Sequence, residues 1–306
     1  MIAILGAGAF GAALALALEG EVKLWGRGLS SGARSAPRLP GHAFPKRVTV
    51  APSPSGALSG ADLILLAVPM KALRETAEHL TDASVPVIAC CKGIDPETGL
   101  GPARLLRDLG VPNAGLLTGP SFASDIAQGL PTALTLALAD CADVQRSLSG
   151  RTLRLYRTDD VVGAELGGAL KNVLAIASGA VIGAGLGQSA QAAILARGFR
   201  ELRDIAEREG AEAQTLLGLS GMGDLMLTAY SSQSRNFRYG QALGRGEVFG
   251  EDATVEGVFT ARAVALLAER HGLDLPVLAM TQSLISGDVT ITRAVDLLMT
   301  RPLKEE

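Results

Sequence analysis

Two lysines stand where a lysine is unusual. Lys171 lies in Glu165-Leu166-Gly167-Gly168-Ala169-Leu170-Lys171-Asn172, within a long stretch almost free of other charge. Lysine is almost never fully buried unless it is paired. Lys171 and Asn172 therefore face a polar cavity, or the lysine stem runs along apolar surface and delivers its ammonium to water. Position alone leaves both readings open. Lys92 follows directly on an apolar run, in Cys90-Cys91-Lys92-Gly93-Ile94. In an open α/β sheet the C-terminal ends of the strands are where ligands bind. Gly119-Pro120-Ser121-Phe122-Ala123 follows another such run and falls on the same edge. Later, Gly221-Met222-Gly223-Asp224 and Ser234-Arg235-Asn236 interrupt helical patterns. Gly-rich turns ending in polar groups mark exposed functional loops, and consecutive Ser, Arg and Asn are donors suited to a phosphate. Read singly, both are helix caps and surface charge.

A second kind of chemistry is written at the N-terminus. Gly6-Ala7-Gly8-Ala9-Phe10-Gly11 has the G-x-G-x-x-G spacing, follows a short apolar strand pattern and opens a helical one. In that context the pattern is a dinucleotide-binding fingerprint of Rossmann type. Gly6 permits the tight turn, Gly8 lets the backbone approach a pyrophosphate, and Gly11 allows helix to pack closely on strand. The helix start then offers free N–H groups and partial positive charge to phosphates. The next strand pattern ends at Trp25-Gly26-Arg27, with no Asp or Glu for a ribose 2′-hydroxyl. Arg27, with Arg34 and Arg38 beyond it, could pair a 2′-phosphate; the competing reading is a solvated surface arginine.

These residues need a scaffold, and the periodicity supplies one. Apolar strands are expected at Ile2 to Leu5, Val22 to Trp25, Leu63 to Val68, Pro86 to Cys90, Gly115 to Leu117 and Thr132 to Ala137, with helices at Phe10 to Leu18 and Ala72 to Leu80. Strands apolar on both faces between helices indicate a parallel sheet covered on both sides. Gly28 to Arg47 reads as loop. From Thr158 only helical periodicity remains. One long helix is expected from Val161 to Ala184, capped by Asp159 or Asp160. Others follow at Ala190 to Glu209, Ala213 to Leu217, Arg238 to Leu243, Ala261 to His271, Pro276 to Ser286 and Ile291 to Met299. The fold class is α/β: a doubly wound dinucleotide-binding domain over 1–158 and an all-α substrate domain over 159–306. Length agrees, since 306 residues suggest two domains.

Bulk properties narrow the function. With 48% hydrophobic and 19% charged residues the chain is an ordered globule. A net charge of −3 without a basic run gives nucleic acid no face to bind. Cys90, Cys91 and Cys141, like His42, His79 and His271, fall in no ligand spacing, so buried thiols in a reducing cytosol are expected, with no metal. The uncharged run Met1 to Leu18 lacks the basic start of a secretory leader. Val173 to Gly187 is shorter than the ~20 residues a membrane span needs.

Taken together, the motifs resemble bacterial NAD(P)-dependent glycerol-3-phosphate dehydrogenases over essentially the whole chain. GAGAFG, LWGR, VPM, CCKGID, TGPSFA, GLPTAL, ELGGALKN, GMGDLMLT, SQSRNFRYG and VEG occur in the family order. The resemblance implies that Lys171 is the proton acceptor and that Lys92 touches both cofactor and substrate. It implies that Asp224 orients Lys171. It makes Gly119, Ser121, Asp224, Ser234, Arg235 and Asn236 substrate contacts. Gly6, Gly8, Ala9, Phe10, Gly11, Ala123, Arg235, Thr254 and Glu256 become contacts of NADPH or NADH. Ala9 stands where the family often has Ser, and Gly28 to Arg47 is shorter than usual. The implied substrates are dihydroxyacetone phosphate and sn-glycerol 3-phosphate, and the implied place is the cytoplasm, as a homodimer through the helical domain. A β-hydroxyacid-type dehydrogenase should lack the Ser-Arg-Asn cluster, and an inactive dinucleotide sensor should have lost its cavity lysines; both features stand here.

Overall fold

A computed structural model describes residues 1–80, 83–250 and 254–300. The first half is a single eight-stranded sheet. In chain order it comprises β1 (Ile2–Leu5), α1 (Ala9–Ala17), β2 (Val22–Trp25), β3 (Val48–Val50), α2 (Pro54–Leu58), β4 (Leu63–Leu66), α3 (Leu73–Ala77), β5 (Val87–Ala89) and α4 (Pro102–Asp108). Then come β6 (Ala114–Thr118), α5 (Ala123–Ala127), β7 (Thr132–Ala137), α6 (Ala142–Leu148) and β8 (Leu153–Thr158). The strand order is β3-β2-β1-β4-β5-β6-β7-β8. The order reverses between β1 and β4, which is where such sheets open a crevice at their C-terminal edge. One apolar layer packs α1 and residues of α5 and α6 on one face. Another packs α2, α3 and α4 on the opposite face.

The sheet departs from the parallel expectation at β7, which runs antiparallel to β6 with Thr118 opposite Thr135, while β8 is parallel to β7. After β6 the chain stays at the edge where that strand ends and turns back through the short α5. No crossover returns it to the far edge, and a parallel pair requires one. Two strands were not anticipated. β3 is three residues long. β8 alternates buried leucines with outward Arg154 and Tyr156, as suits a strand at the sheet edge. Four helices of five to seven residues (α2, α4, α5, α6) are too short for a periodic signal.

The second half is helical: α7 (Val161–Gly183), α8 (Gly187–Arg208), α9 (Ala213–Leu217), a π-turn at Leu219–Gly223, α10 (Asp224–Ala229), α11 (Arg235–Arg245), α12 (Glu256–His271), α13 (Pro276–Ser286) and α14 (Ile291–Met299). Residues 301–306 of the expected second domain lie outside the described residues. Asp160 opens α7, its carboxylate accepting from the Gly163 N–H at 2.8 Å. Among the described residues α7 is the one helix long and apolar enough to cross a membrane, and most of it is buried inside the protein. It packs against α8, α10, α11, α12 and α13. Against α11 the approach is backbone to backbone. A Cβ at Gly179 or Gly183 would overlap the carbonyls of Phe237 or Gln241, and one at Gly240 or Gly244 those of Ile176 or Ala180. Small residues spaced four apart on both helices permit this contact. α11 and α12 begin earlier than their apolar periodicity indicates, at polar Arg235 and Glu256.

Candidate active site

Asp224 joins the two unusual lysines. It is the first residue of α10, set there by the π-turn through Leu219–Gly223, an irregularity common at functional sites. Its side chain is 1% exposed. Oδ1 accepts from Lys171 Nζ at 2.8 Å and Oδ2 from Lys92 Nζ at 2.5 Å. Lys171 comes from the middle of α7, while Lys92 comes from just beyond β5. Lys92 also donates to the carbonyl of Gly119, just beyond β6, at 3.1 Å. Lys171 is 5% exposed, which excludes the snorkelling alternative and leaves the paired, buried one. Its second partner is the Thr228 hydroxyl. Thr228 lies four residues after Asp224 and so on the same face of α10.

Burial is the main force on the Lys171 ammonium and brings its pKa down to about 8. Asp224 opposes that fall and Lys92 reinforces it. The low-dielectric interior disfavours the charged amine, and one carboxylate shared between two cations offsets this only in part. The result is a lysine whose proton is exchangeable near neutral pH.

Behind this centre, α7, α11 and α12 are cross-linked. Asn172 Oδ1 accepts from Asn236 Nδ2 at 2.9 Å, and Asn236 Oδ1 accepts from the Gly257 N–H at 3.0 Å. Asn172 Nδ2 reaches Glu256 Oε2 at 3.5 Å. Burial raises the pKa of Glu256, with Lys92, Arg235 and Lys171 acting against it. Ser234 caps α11 by accepting from the Phe237 N–H at 3.2 Å. Ser234 and Asn236 therefore face inward as framework, whereas Arg235 is exposed.

At the other end of the crevice, Gly6 has φ +116°, and a Cβ there would overlap the Ala67 carbonyl. A Cβ on Gly11 would overlap the Gly6 carbonyl, whereas one on Gly8 would meet nothing within 4 Å. Gly8 is also the N-cap of α1 and supplies no side-chain acceptor. Open space before an uncapped helix start fits a dinucleotide pyrophosphate. Ala9 and Phe10 form the first turn there and are part-buried. Arg27, beyond β2, is exposed and lies 3.6 Å from Glu75. Ser121 lies in the β6–α5 connection and Ala123 opens α5, with the Ser121 hydroxyl donating to the Gly119 carbonyl at 3.3 Å. Thr254 precedes α12 and is part-buried.

Sequence reasoning missed Thr228, whose signal is its i+4 relation to Asp224. It also missed Thr118, whose buried hydroxyl has no hydrogen-bond partner. Asn172 was noticed only as a neighbour of Lys171. The cysteines are unpaired and buried, and burial pushes the Cys90 thiol up to about 12. His271 pairs with Glu209 at 2.6 Å.

Comparison with known proteins settles the family. The NAD-dependent glycerol-3-phosphate dehydrogenase N-terminus model matches residues 1–144 and the C-terminus model residues 160–296. A glycerol-3-phosphate dehydrogenase [NAD(P)+] of Cereibacter sphaeroides is 55% identical, covering 100% of both chains. The chain belongs to the NAD(P)-dependent glycerol-3-phosphate dehydrogenase family. A Ruegeria relative with the same description is 51% identical over 100% of this chain and 99% of its own. The glycerol-3-phosphate dehydrogenase structure from Coxiella burnetii superposes with TM-score 0.89 at 33% identity, covering 98% of each chain. A ketopantoate reductase from Ralstonia eutropha, at 19% identity and TM-score 0.60, shares the fold alone.

Proposed function

We propose that Lys171, Asp224 and Lys92 form the proton-handling centre of an sn-glycerol-3-phosphate dehydrogenase. The enzyme is an NAD(P)-dependent oxidoreductase acting on a CH–OH group, interconverting dihydroxyacetone phosphate and sn-glycerol 3-phosphate. The observation that carries the mechanism is the single buried carboxylate shared by both lysines. NADH or NADPH, when bound, supplies the hydride or accepts it. In oxidation Lys171 takes the proton of the C2 hydroxyl, and in reduction it returns that proton. An ammonium has three donors. Lys171 commits two, to Asp224 and Thr228, and Lys92 commits two, to Asp224 and Gly119. Each keeps one hydrogen for the substrate. Lys92 directs its own at the oxygen on which charge develops.

Arg235 at the start of α11 is the cation for the substrate phosphate, aided by the helix N-terminus. Ser234 retains its hydroxyl proton and Asn236 one amide hydrogen for the same anion. Gly119 and Ser121 line the substrate side. Gly6, Gly8, Ala9, Phe10, Gly11, Arg27, Lys92, Ala123, Arg235, Thr254 and Glu256 border the cofactor. In this reading residues 1–158 hold the dinucleotide and 159–306 the substrate. Reduced, buried cysteines support a cytoplasmic place, where the product serves glycerophospholipid synthesis. A homodimer through the helical domain completes the proposal. The test is NADPH oxidation with dihydroxyacetone phosphate beside unphosphorylated dihydroxyacetone; equal rates on the two would defeat the phosphate assignment.

A further inference from the structure

One buried carboxylate takes no part in the proton chemistry. Glu165 lies on α7, six residues before Lys171 and so about 9 Å along the axis. Its side chain is fully enclosed. Oε1 accepts from the backbone N–H of Ala103 at 2.6 Å and of Arg104 at 3.0 Å, and Oε2 from Arg104 Nε at 2.7 Å. These partners begin α4, a helix of the sheet domain. Helix starts leave N–H groups without internal partners, usually satisfied by a side chain at the N-cap. α4 cannot do this for itself, because its N-cap is Gly101 and its first residue is Pro102. The cap comes instead from the helical domain, and a Cβ on Gly101 would overlap it.

The consequence falls on the segment between β5 and α4, which carries Lys92 near its start. Ile94 is buried in the core of the helical domain. Thr98 offers its carbonyl to Arg270 of α12 at 3.2 Å. Arg104 reaches Glu209, the residue after α8, at 3.3 Å, and Glu209 also meets Arg270 and His271. Thus the Lys92 segment is tied to the helical domain at several points, and the firmest tie is on the same helix as Lys171. Isolated buried ion pairs contribute little net stability. This one fixes a geometry.

We infer that Glu165 is a positioning residue for the dehydrogenase reaction: by capping α4 from α7, it sets the register in which Lys92 and Lys171 share Asp224. The inference rests on the proposed role of that centre. A misplacement of about 1 Å can cost on the order of 10²-fold in rate. Glu165→Gln keeps the volume and an acceptor but loses the charge that holds Arg104. Lys92 then drifts from Asp224. Lys171 loses a neighbouring cation and has the carboxylate more to itself, so its pKa rises.

The experiment measures melting temperature, NADPH affinity by fluorescence titration, turnover, and the pH profile of kcat/KM for reduction. For Glu165→Gln the expected result is turnover lowered about 10- to 100-fold, little change in NADPH affinity, and a basic limb above that of the wild type. A purely structural role would lower the amount of folded enzyme and leave the limb in place. A folded Glu165→Gln enzyme with unchanged turnover and limb overturns the inference. Should that variant not fold, Arg104→Lys, which leaves the backbone cap intact, decides by the same two readouts. Lys171→Met is the control. If it keeps normal turnover, the proton centre is misassigned and the inference falls with it; if it loses turnover while Glu165→Gln does not, only the inference falls.

Discussion

Asp224→Asn removes one negative charge from a site with two ammonium groups and changes almost no volume. In the wild type, burial lowers the Lys171 pKa to about 8, with Asp224 the largest opposing influence. A hydrogen bond to a charged group is worth about 1.5–3 kcal/mol, and one pKa unit corresponds to about 1.36 kcal/mol. Replacing the carboxylate should therefore lower the Lys171 pKa by about 1–2 units, to about 6–7. In the proposed mechanism reduction needs the protonated amine, which is present below that pKa and is lost as pH rises through it. The profile of kcat/KM for dihydroxyacetone phosphate also rises on its acid side as the phosphate loses its second proton near pH ~6. The variant's basic limb should move toward this acid limb and collapse the plateau into a narrow peak. The measurement is that profile at saturating NADPH, in buffers of constant ionic strength. A basic limb that stays near 8, or moves upward, would show that Asp224 does not hold the proton on Lys171.

Lys171→Met keeps much of the stem volume and removes the proton, so turnover at saturation should fall by about 10²–10⁴-fold with little change in NADPH affinity; near-normal turnover would assign the proton elsewhere, with Lys92 next in line. Gly8→Val adds side-chain atoms starting in open space and should cost at most about 1 kcal/mol of stability as a poorer cap, yet weaken NADPH binding at least about tenfold by blocking the pyrophosphate. Gly11→Ala, whose Cβ would overlap a carbonyl, should instead lower the melting temperature; a Gly8→Val enzyme that binds NADPH normally would refute the phosphate site. Arg27→Asp should shift the NADPH-to-NADH ratio of kcat/KM toward NADH by about tenfold, and an unmoved ratio would leave Arg27 as a solvated arginine.

What the sequence disclosed, and what it hid, follows from how far apart the interacting residues are. The β1–Gly6–Gly8–Gly11–α1 unit is local, so spacing and period were enough to find it. α7 was legible for its length, and so was the oddity of a lysine within it. Whether that lysine was buried or solvated was not legible, because its partner Asp224 is 53 positions away and Lys92 lies 132 positions from the same carboxylate. The Lys171–Asp224 pairing came from the family resemblance, not from periodicity, and the Lys92–Asp224 pairing was not anticipated. α10 went unseen because six residues after a glycine pair carry no usable period, and Thr228 was lost with it. The reversal of β7 leaves no trace in composition, since a strand buried on both faces looks alike in either direction. Glu165 reads as an ordinary helix glutamate until α4 is brought to it.

The glycine seam between α7 and α11 acts as a fulcrum. Lys171 is eight residues, about 12 Å, from Gly179 on one arm. On the other, Arg235 is five residues, about 7.5 Å, from Gly240. Backbone meets backbone at the pivot, so no side chain there can change rotamer and absorb a displacement. A single methyl added at Gly179 or Gly240 must part the helices, and two stiff rods carry the opening to their ends. The spacing between the Lys171–Asp224–Lys92 cluster and Arg235 is thus set by atoms that touch neither. Variation that retunes which substrate length the crevice accepts can arise at this remote joint as readily as among the residues that line it.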